Sequence, residues 1–350
     1  MTAAMLEIAG RPIGPGHPPY VICELSGNHN GSLERALAMV DAAAATGCDA
    51  IKLQTYTPDT ITLACDGPDF QITDGPWAGR TLHELYAEAA TPYEWHAALF
   101  ERARQRGVTM FSTPFDATAV ELLEGLDAPA YKIASFEAVD LPLIARVAAC
   151  GKPMIISTGL ASLAEMGEAL DCAQANGASG VALLHCVSAY PAPIEEANVM
   201  TVPDLARRFG VVTGLSDHTP GSAAAVAAVA LGAAIIEKHF TLARADGGPD
   251  AAFSLEPSEF SAMTADCKAA WRALGAATYD ELGAEHAAAG HRRSLYVATA
   301  VRAGEPLTAD NVRSIRPGYG LAPKHLPDVL GRKAARDLKF GEPLDWSMVV

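Results

Sequence analysis

Two lysines stand inside short apolar runs of the kind that form buried strands. Lys52 and Lys132 are each flanked by large hydrophobic residues. Because burying an unpaired charge is costly, a lysine in such a place is either paired or functional. Ammonium groups supply positive charge and hydroxyl groups supply directional donors, so together they suit a compact dianion such as a phosphate ester that carries a carboxylate. The hydroxyl groups that could serve are those of Thr113, Ser135, Ser157 and Ser216.

Two histidines, His218 and His239, end consecutive apolar runs. On neighbouring strands their rings would lie close enough to share one metal ion. Two neutral imidazoles, with water and substrate oxygens in the remaining positions, suit Mn²⁺, Mg²⁺ or another borderline divalent ion better than structural zinc. For either histidine alone, a hydrogen-bonded core residue is the simpler interpretation, so the metal hypothesis depends on the pair.

Carboxyl and amide groups occupy comparable positions. Glu24 ends the first apolar run, where a carboxylate needs a partner, either a substrate hydroxyl or a proton in transfer. Side chains alternate along a strand, so Gln54 shares a face with Lys52, and Glu237 shares a face with His239. The polar groups of each run are therefore predicted to point in one direction.

These residues lie in or just after eight short runs rich in β-branched residues, which alternate with Ala- and Leu-rich amphipathic stretches. The alternation is typical of βα units with a parallel sheet. It predicts a (β/α)₈ TIM barrel, a fold of about 250 residues whose active site lies at the carboxyl ends of the strands. The predicted strands are 20–25, 50–55, 108–112, 130–134, 153–157, 181–187, 211–215 and 234–239, and the predicted helices are 33–46, 94–105, 117–125, 141–150, 163–176, 202–209, 222–231 and 257–274.

Two stretches depart from this rhythm. Residues 63–82 contain two Asp-Gly-Pro turns, and we expect them to form a long loop after the second strand. Near residue 280 the sequence pattern changes from alternating strands and helices to short segments interrupted by Gly and Pro. We therefore predict a barrel domain over 1–280, a linker over 281–291 and a C-terminal domain over 292–350, which is small for an independent core.

The composition excludes several classes of protein. Half of the 350 residues are hydrophobic, so the chain is not intrinsically disordered. The formal net charge of -15 argues against a nucleic-acid or anionic-membrane surface. No basic segment leads into an apolar core at the N-terminus and no run of about 18 apolar residues occurs, so we expect a soluble, cytoplasmic protein. Seven scattered cysteines without a CxxC pair favour reduced thiols.

Read in chain order, these residues resemble the sialic acid synthase family, whose members condense phosphoenolpyruvate with an amino-sugar aldose. The resemblance covers nearly the whole chain. It implies that 292–350 form an antifreeze-like (SAF, β-clip type) domain, and that two chains form a domain-swapped homodimer in which this domain covers the partner's active site. The motifs that carry it are VICE (21–24), NHNG (28–31), IKLQ (51–54), STPFD (112–116), YKIAS (131–135), ISTG (156–159), GLSDHT (214–219), IEKHFT (236–241) and RSIRPG (313–318).

Within the family the chain is most similar to pseudaminic acid synthases. That subgroup implies condensation of phosphoenolpyruvate, 2,4-diacetamido-2,4,6-trideoxy-L-altrose and water to pseudaminic acid and phosphate, with cleavage of the C–O bond of phosphoenolpyruvate. The product would enter a bacterial surface glycan such as that of flagellin. The motifs that favour the subgroup are QTYT (54–57), WAGRTL (77–82), SAYPA (188–192), GGPD (247–250) and FSLEP (253–257).

The resemblance also implies roles for individual residues. Phosphoenolpyruvate would be bound by Lys52, Thr113, Lys132, Ser135, Ser157, Ser188 and Ser216. A divalent metal, Mn²⁺, Mg²⁺ or Co²⁺, would be held by His218 and His239. The sugar would contact Glu24, Gln54, Tyr190, Asp250 and, from the other subunit, Arg316. The catalytic acid and base would be found among Glu24, Glu137, Glu237 and Asp250.

Three alternatives stay open at this point. An N-acetylneuraminate or legionaminate synthase would use the same chemistry on another sugar. A Schiff-base aldolase could use Lys132 to form an imine with a keto acid. The C-terminal domain could instead be an ice-binding module on a scaffold barrel, although the polar strand ends speak against that.

Overall fold

The computed structural model describes residues 4–350. The chain divides into two compact units, the first ending at Gly275 and the second spanning Ala276–Val350. Within the described residues, no helix is long and apolar enough to cross a membrane.

The first unit is a closed barrel of eight parallel strands, which confirms the predicted TIM barrel. The last strand pairs with the first and closes the sheet, so that His239 lies opposite Glu24, which in turn lies opposite Lys52. Barrel closure thus sets predicted site residues from three strands side by side. The strands are β3 (Tyr20–Glu24), β4 (Ala50–Thr55), β5 (Thr109–Pro114), β6 (Tyr131–Ile133), β7 (Met154–Ser157), β8 (Val181–Cys186), β9 (Val212–Asp217) and β10 (Ile235–His239).

Helices surround the barrel, and their starts follow from the sequence. Ser32, Asp116 and Asp140 each accept a hydrogen bond from the amide three residues further on, which satisfies a free N–H of the first helical turn. The helices of this unit are α1 (Leu33–Ala45), α2 (Pro58–Ile61), α3 (Leu82–Ala89), α4 (Tyr93–Arg106), α5 (Ala117–Gly125), α6 (Leu141–Ala148), α7 (Leu163–Ala175), α8 (Thr201–Phe209), α9 (Ala223–Ala230) and α10 (Pro257–Leu274).

The core of the unit has two layers. One lies between the strands and the helices, and the other fills the barrel interior around Phe111. A hairpin that the sequence analysis did not predict, β1 (Leu6–Ile8) with β2 (Arg11–Ile13), packs its apolar side chains into this inner cluster. The hairpin therefore covers the end of the barrel opposite the carboxyl ends of the strands.

The insertion after β4 has more structure than the predicted loop. A bridge between Gln71 and Thr81 closes a small hairpin, and α3 follows it directly. Thr81 and Glu84 form a capping box, a signal in the sequence that could have placed the start of this helix.

The second unit contains one antiparallel pair, β11 (Ser294–Val297) with β12 (Val312–Ile315). Its two short α-helices are α11 (His286–Ala289) and α12 (Leu326–Val329). Despite its size the unit has its own core, centred on Leu295, Leu307 and Leu344, which are fully buried.

Candidate active site

A cavity of about 480 Å³ opens at the carboxyl ends of the barrel strands. Most of the residues that the sequence singled out line it, and they come from all parts of the barrel. They are Lys52, Gln54, Lys132, Ser135, Glu137, Ser157, Ser188, Tyr190, Ser216, His218, Glu237, His239 and Asp250. Glu24 and Thr113 are buried beside this group, on β3 and β5. Arg316 lies in the second unit, where it is exposed.

The floor of the cavity is a buried network of charges. Glu237 accepts hydrogen bonds from Lys52 Nζ at 2.9 Å, from Lys132 Nζ at 3.0 Å and from Ser216 Oγ at 3.2 Å. Lys52 Nζ also lies 3.1 Å from Glu24 Oε2, and Gln54 donates to the other oxygen of Glu24 at 3.0 Å. Two positive and two negative side chains thus compensate one another. We call these four charged groups, Glu24, Lys52, Lys132 and Glu237, the charged floor.

This pairing controls the protonation of the floor. Burial alone would raise the pKa of Glu237, but Lys132 and Lys52 outweigh it and hold the pKa well below its usual range. Burial opposes the charged form of Lys52, yet Glu237 and Glu24 raise its pKa. For Lys132 burial prevails over the attraction of Glu237, and its pKa is lowered. Of the two lysines, Lys132 is therefore the one whose charged form is less favoured.

Hydroxyl groups beside the floor are ready to donate. Ser157 Oγ and Thr113 Oγ1 are buried and find no hydrogen-bond partner in the described part of the chain. Ser135 and Ser188 meet at Gly159, where an added Cβ would stand 2.2 Å from Ser188 Oγ and 2.9 Å from Ser135 Oγ. The missing side chain at Gly159 leaves room for these two hydroxyl groups, which form a small niche of donors there.

The two histidines stand at the edge of this niche with their ring centroids 5.3 Å apart. His218 Nδ1 lies 2.9 Å from Val187 O, and because a carbonyl only accepts, this bond places a proton on Nδ1, so the neutral ring carries its lone pair on Nε2. Burial opposes the protonated ring, but the contact with Cys186 outweighs it and raises the pKa of His218. His239 Nδ1 is buried and makes no hydrogen bond within residues 4–350; the closest carboxylate is Asp250 Oδ2 at 3.8 Å. Burial and the neighbouring His218 lower the pKa of His239 well below its usual value, so this ring is neutral.

The donor set therefore fits the metal site that the sequence predicted, and it supplies two protein ligands. Neutral imidazoles are common metal ligands, and a carbonyl bonded to the second nitrogen, as at His218, orients the ring. No cluster of three or more His, Cys, Asp or Glu side chains suited to a metal occurs among residues 4–350. A metal at this place would have two protein ligands and would take its others from water and substrate.

Three acids of the site, Glu24, Glu137 and Asp250, have raised pKa values. Burial raises the pKa of Glu137 to about 7, and its Oε2 is buried without a partner among the described residues. Burial, with the repulsion of Glu24, raises the pKa of Asp250 to about 6. Burial raises the pKa of Glu24 despite the attraction of Lys52, but its oxygens are already in contact with Lys52, Gln54 and the amide of Ser26. Glu137 is therefore the carboxyl group best placed to exchange a proton near neutral pH.

Several side chains at the cavity were not among the predicted site residues. Tyr56 and Trp77 line it, and the Trp77 indole donates to Pro249 O at 2.8 Å. Cys186 lies with Sγ 3.7 Å from His218 Nδ1; although burial raises the pKa of this thiol, the bond to His218 lowers it to about 7. Both Tyr56 and Trp77 belong to motifs noted in the sequence, whereas Cys186 carried no signal beyond its position at a strand end.

The NHNG motif after β3 has a structural role that its turn-like sequence did not predict. Asn28 Nδ2 donates to Phe240 O at 2.8 Å and to Ser254 Oγ at 2.9 Å. Asn30 Nδ2 donates to Gly247 O at 3.1 Å. The motif thus fastens the loop that follows β10 and carries Asp250.

These features define a class of protein: a TIM-barrel enzyme whose carboxyl-end cavity combines paired lysines, free hydroxyl groups and two imidazoles, followed by a small β unit. Residues 39–279 match the NeuB family and residues 292–350 match the SAF domain. The chain belongs to the NeuB family and is a phosphoenolpyruvate-dependent nonulosonic acid synthase. The resemblance to sialic acid synthases, the fold and the SAF domain are thereby confirmed.

Two relatives that are more than 40% identical to the chain are pseudaminic acid synthases. The chain is 44% identical over 325 residues to the pseudaminic acid synthase of Campylobacter jejuni, covering 93% of this chain and 95% of that synthase. It is 43% identical over 331 residues to the pseudaminic acid synthase of Helicobacter pylori, covering 93% and 96%. Among solved structures, the N-acetylneuraminic acid synthetase of Leptospira borgpetersenii in complex with citrate matches with a TM-score of 0.73 and 29% identity, covering 82% of this chain and 95% of that one.

Proposed function

We propose that this protein is a pseudaminic acid synthase, which condenses phosphoenolpyruvate with 2,4-diacetamido-2,4,6-trideoxy-L-altrose and water to give pseudaminic acid and phosphate. The observation that carries the proposal is the 44% identity to a pseudaminic acid synthase along 93% of the chain. The cavity supports it, because it combines a charged floor with groups suited to a phosphorylated keto-acid precursor.

Phosphoenolpyruvate binds at the floor in this proposal. Lys52 and Lys132 supply positive charge, and the buried hydroxyl groups of Ser157 and Thr113 gain the partner that they lack. The niche at Gly159 accepts the phosphate group through the remaining hydroxyls. The proposed ligands are Lys52, Thr113, Lys132, Ser135, Ser157, Ser188 and Ser216.

Charge balance favours a divalent cation beside this substrate. The four groups of the charged floor cancel one another, so they offer no net positive charge to a multiply charged anion. His218 and His239 are the side chains that would hold Mn²⁺, Mg²⁺ or Co²⁺. When bound there, such an ion supplies Lewis acidity for the carbonyl of the open-chain sugar.

The sugar lies above the floor. Glu24, Gln54, Tyr190 and Asp250 are its proposed contacts, and Glu137 is the proposed acid/base, because its pKa of about 7 allows it both to give and to take a proton. The methylene carbon of phosphoenolpyruvate forms a bond to the aldehyde carbon, whose oxygen gains a proton. Water adds to the resulting cationic carbon and loses a proton, which gives a tetrahedral intermediate. This intermediate expels phosphate by C–O cleavage, its hydroxyl proton passes to the leaving phosphate, and the 2-keto acid remains. Glu237 stays ionised throughout and stabilises the cationic carbon electrostatically.

We also propose that the enzyme is a homodimer that acts in the cytoplasm. Large apolar side chains are exposed on loops and helix starts after β6, β7 and β8, and a surface of this kind marks an interaction site. They are Phe136, Val139, Leu160, Leu163, Ile194 and Met200. The seven cysteines are free thiols, which suits a reducing compartment.

A mixing experiment tests whether Arg316 acts on the partner's cavity. Arg316→Met and Lys132→Met are each expected to be inactive as pure proteins. Co-refolded or co-expressed, they form heterodimers in which one site is intact, so about a quarter of the wild-type activity returns. Equal inactivity of the mixture, with heterodimers verified by mass, would contradict a contribution across subunits.

The proposed reaction is tested by release of phosphate from phosphoenolpyruvate, with Mn²⁺ or after chelation. The sugars offered in parallel are the L-altrose derivative, its legionaminic counterpart and N-acetylmannosamine. We expect turnover with the L-altrose derivative alone, abolished by the chelator. Turnover with either of the other sugars instead would reassign the substrate to legionaminate or N-acetylneuraminate synthesis, and borohydride trapping at Lys132 without metal dependence would support an imine mechanism.

A further inference from the structure

One side of the cavity differs sharply from the charged floor. It is lined by aliphatic and indole side chains that all come from the single segment 58–89, between β4 and α4. The barrel strands contribute none of them. We call this group the apolar wall: Ile61, Ile72, Trp77, Leu82 and Leu85.

The apolar wall is held in place before any substrate binds. Its hairpin is closed by hydrogen bonds from Ile72 N to Arg80 O and from Gly79 N to Ile72 O, both 2.8 Å long. Trp77 stands at the tip of this hairpin, packs against Tyr190 with ring centroids 5.8 Å apart, and donates its indole N–H to Pro249 O. The wall is therefore tied across the cavity to the loop that carries Asp250.

The chemistry of the wall limits what can lie against it. Four of its side chains have no polar atom, and the single N–H of Trp77 is already bonded. A sugar hydroxyl pressed against such a surface would lose its hydrogen bonds to water without replacement, which is costly. A methyl group in the same place would gain from leaving water, and it would cover apolar side chains that otherwise face the open cavity.

We propose that the apolar wall is the binding site for the methyl groups of the acceptor sugar, the C6 methyl first among them. The wall thereby selects a 6-deoxy, N-acylated aldose over its 6-hydroxylated counterpart. This inference rests on the proposed function, because the floor binds phosphoenolpyruvate and leaves the wall to the sugar. The insertion that distinguishes the second βα loop becomes the part of the enzyme that determines sugar specificity.

A pair of matched variants at Ile72 tests the wall. Ile72→Thr and Ile72→Val remove a similar volume, but only the first places a hydroxyl in the wall. Each is assayed with 2,4-diacetamido-2,4,6-trideoxy-L-altrose and with the same sugar bearing a 6-hydroxyl. The wild type should prefer the 6-deoxy sugar about 10- to 100-fold in kcat/KM. Ile72→Thr should reduce this preference about fivefold, and Ile72→Val should keep it within about twofold of wild type.

Trp77→Ala removes the largest side chain of the wall. We expect the KM of the 6-deoxy sugar to rise about 30-fold, while the KM of phosphoenolpyruvate stays within about twofold. Saturation-transfer NMR on the wild type should show the strongest transfer to the C6 and acetamido methyl protons of the sugar, and Trp77→Ala should weaken that transfer. A general loss of structure would instead raise both KM values and would be visible by circular dichroism.

The outcomes separate the two proposals. If the wild type prefers the 6-deoxy sugar but Ile72→Thr leaves the preference intact, or changes it no more than Ile72→Val does, the role of the wall is overturned and the proposed function stands. If the wild type turns over no 6-deoxy sugar, the proposed function fails and takes the inference with it. Strong transfer to ring protons with none to the methyl groups would also overturn the inference.

Discussion

The charged floor and the apolar wall belong to one cavity but come from different parts of the chain. The floor is carried by β3, β4, β6 and β10, whose backbones are locked into the barrel by hydrogen bonds on both sides. The wall is carried by a segment inserted between β4 and α4, which closes on itself through its own hairpin. One region is positioned by the fold as a whole, and the other by local contacts.

The difference separates chemistry from specificity. Side chains on barrel strands have little freedom, so they suit a reaction whose charges must be placed within fractions of an ångström. A loop insertion can change without disturbing the strands, so it suits the recognition of a variable substituent. Substitutions in the floor should therefore affect phosphoenolpyruvate and turnover, whereas substitutions around the wall and its supporting loop should affect the sugar.

The largest effect is expected from Lys132→Met in the floor. The change removes one of two cations that bind the anionic substrate and leaves Glu237 with Lys52 alone, so kcat/KM for phosphoenolpyruvate should fall about 10⁴-fold. The matched control is Lys152→Met, because Lys152 pairs with Asp127 at the surface. Steady-state kinetics of both variants with the same sugar measure the effect. A loss confined to the KM of the sugar would break the assignment of the floor to phosphoenolpyruvate.

Glu137→Gln should lower kcat about 10³-fold and remove an inflection near pH 7 from the pH profile of kcat, if Glu137 transfers the proton. Stability gives an independent readout. The folded state holds the proton of Glu137 more tightly than the unfolded state. The free energy of unfolding therefore falls as the pH rises from about 4.5 to about 7, and above pH 7 this loss stays constant. The glutamine variant should therefore gain about 2 kcal/mol in unfolding free energy at pH 8 relative to wild type, and little at pH 4.

The control for this prediction is Glu168→Gln, a change of the same kind on the exposed side of α7. Urea unfolding of wild type and both variants at the two pH values measures the difference. If Glu137→Gln gains no more stability at pH 8 than at pH 4, the raised pKa is wrong. If its pH profile retains the inflection, another carboxyl group such as that of Asp250 is the acid/base.

Gly159→Ala tests the niche of hydroxyl groups above the floor. The added Cβ would come within 2.2 Å of Ser188 Oγ, so the serine must rotate away and a donor is lost from its place. We expect kcat/KM for phosphoenolpyruvate to fall about 10²-fold through KM, with the KM of the sugar unchanged. Gly125→Ala is the control, because no described atom lies within 4 Å of a Cβ at that position. Unchanged kinetics would show that the phosphate binds elsewhere.

Sequence patterns predicted the residues of the charged floor but not the ion pairs between them. Strand periodicity predicted that Lys52 shares a face with Gln54 and Glu237 with His239, because alternation along a strand is a local property. Lys132 was predicted from its position inside an apolar run. That both lysines pair with Glu237 depends on how β4, β6 and β10 come together when the barrel closes, which no local pattern records. The bond from Trp77 to Pro249 joins segments that are 172 residues apart and could not be read from either motif.

Elements outside the regular repeat were also harder to predict. The eight strands and their helices follow the apolar periodicity closely, and observed bounds lie within a few residues of the predicted ones. The hairpin before β3 is short and surrounded by Gly and Pro, so it has no period to detect. Asn28 shows the same limit at the level of one residue. The NHNG motif signals a turn and does not indicate a hydrogen bond to Phe240, which directly follows β10 and is more than 200 residues away.

The smallest effect is expected at Asn28, which holds the loop that follows β10. In Asn28→Ala the loop after β10 loses the amide that binds Phe240 O and Ser254 Oγ, so Asp250 is held less firmly opposite the apolar wall. The KM of the sugar should rise about tenfold and the free energy of unfolding should fall by about 1 to 3 kcal/mol, while the KM of phosphoenolpyruvate stays unchanged. Asn176→Ala is the matched control, because Asn176 bonds only within the exposed end of α7. Equal rises in both KM values would mean that Asn28 supports the floor as well as the loop, and the division of the cavity into two independent regions would fail at this point.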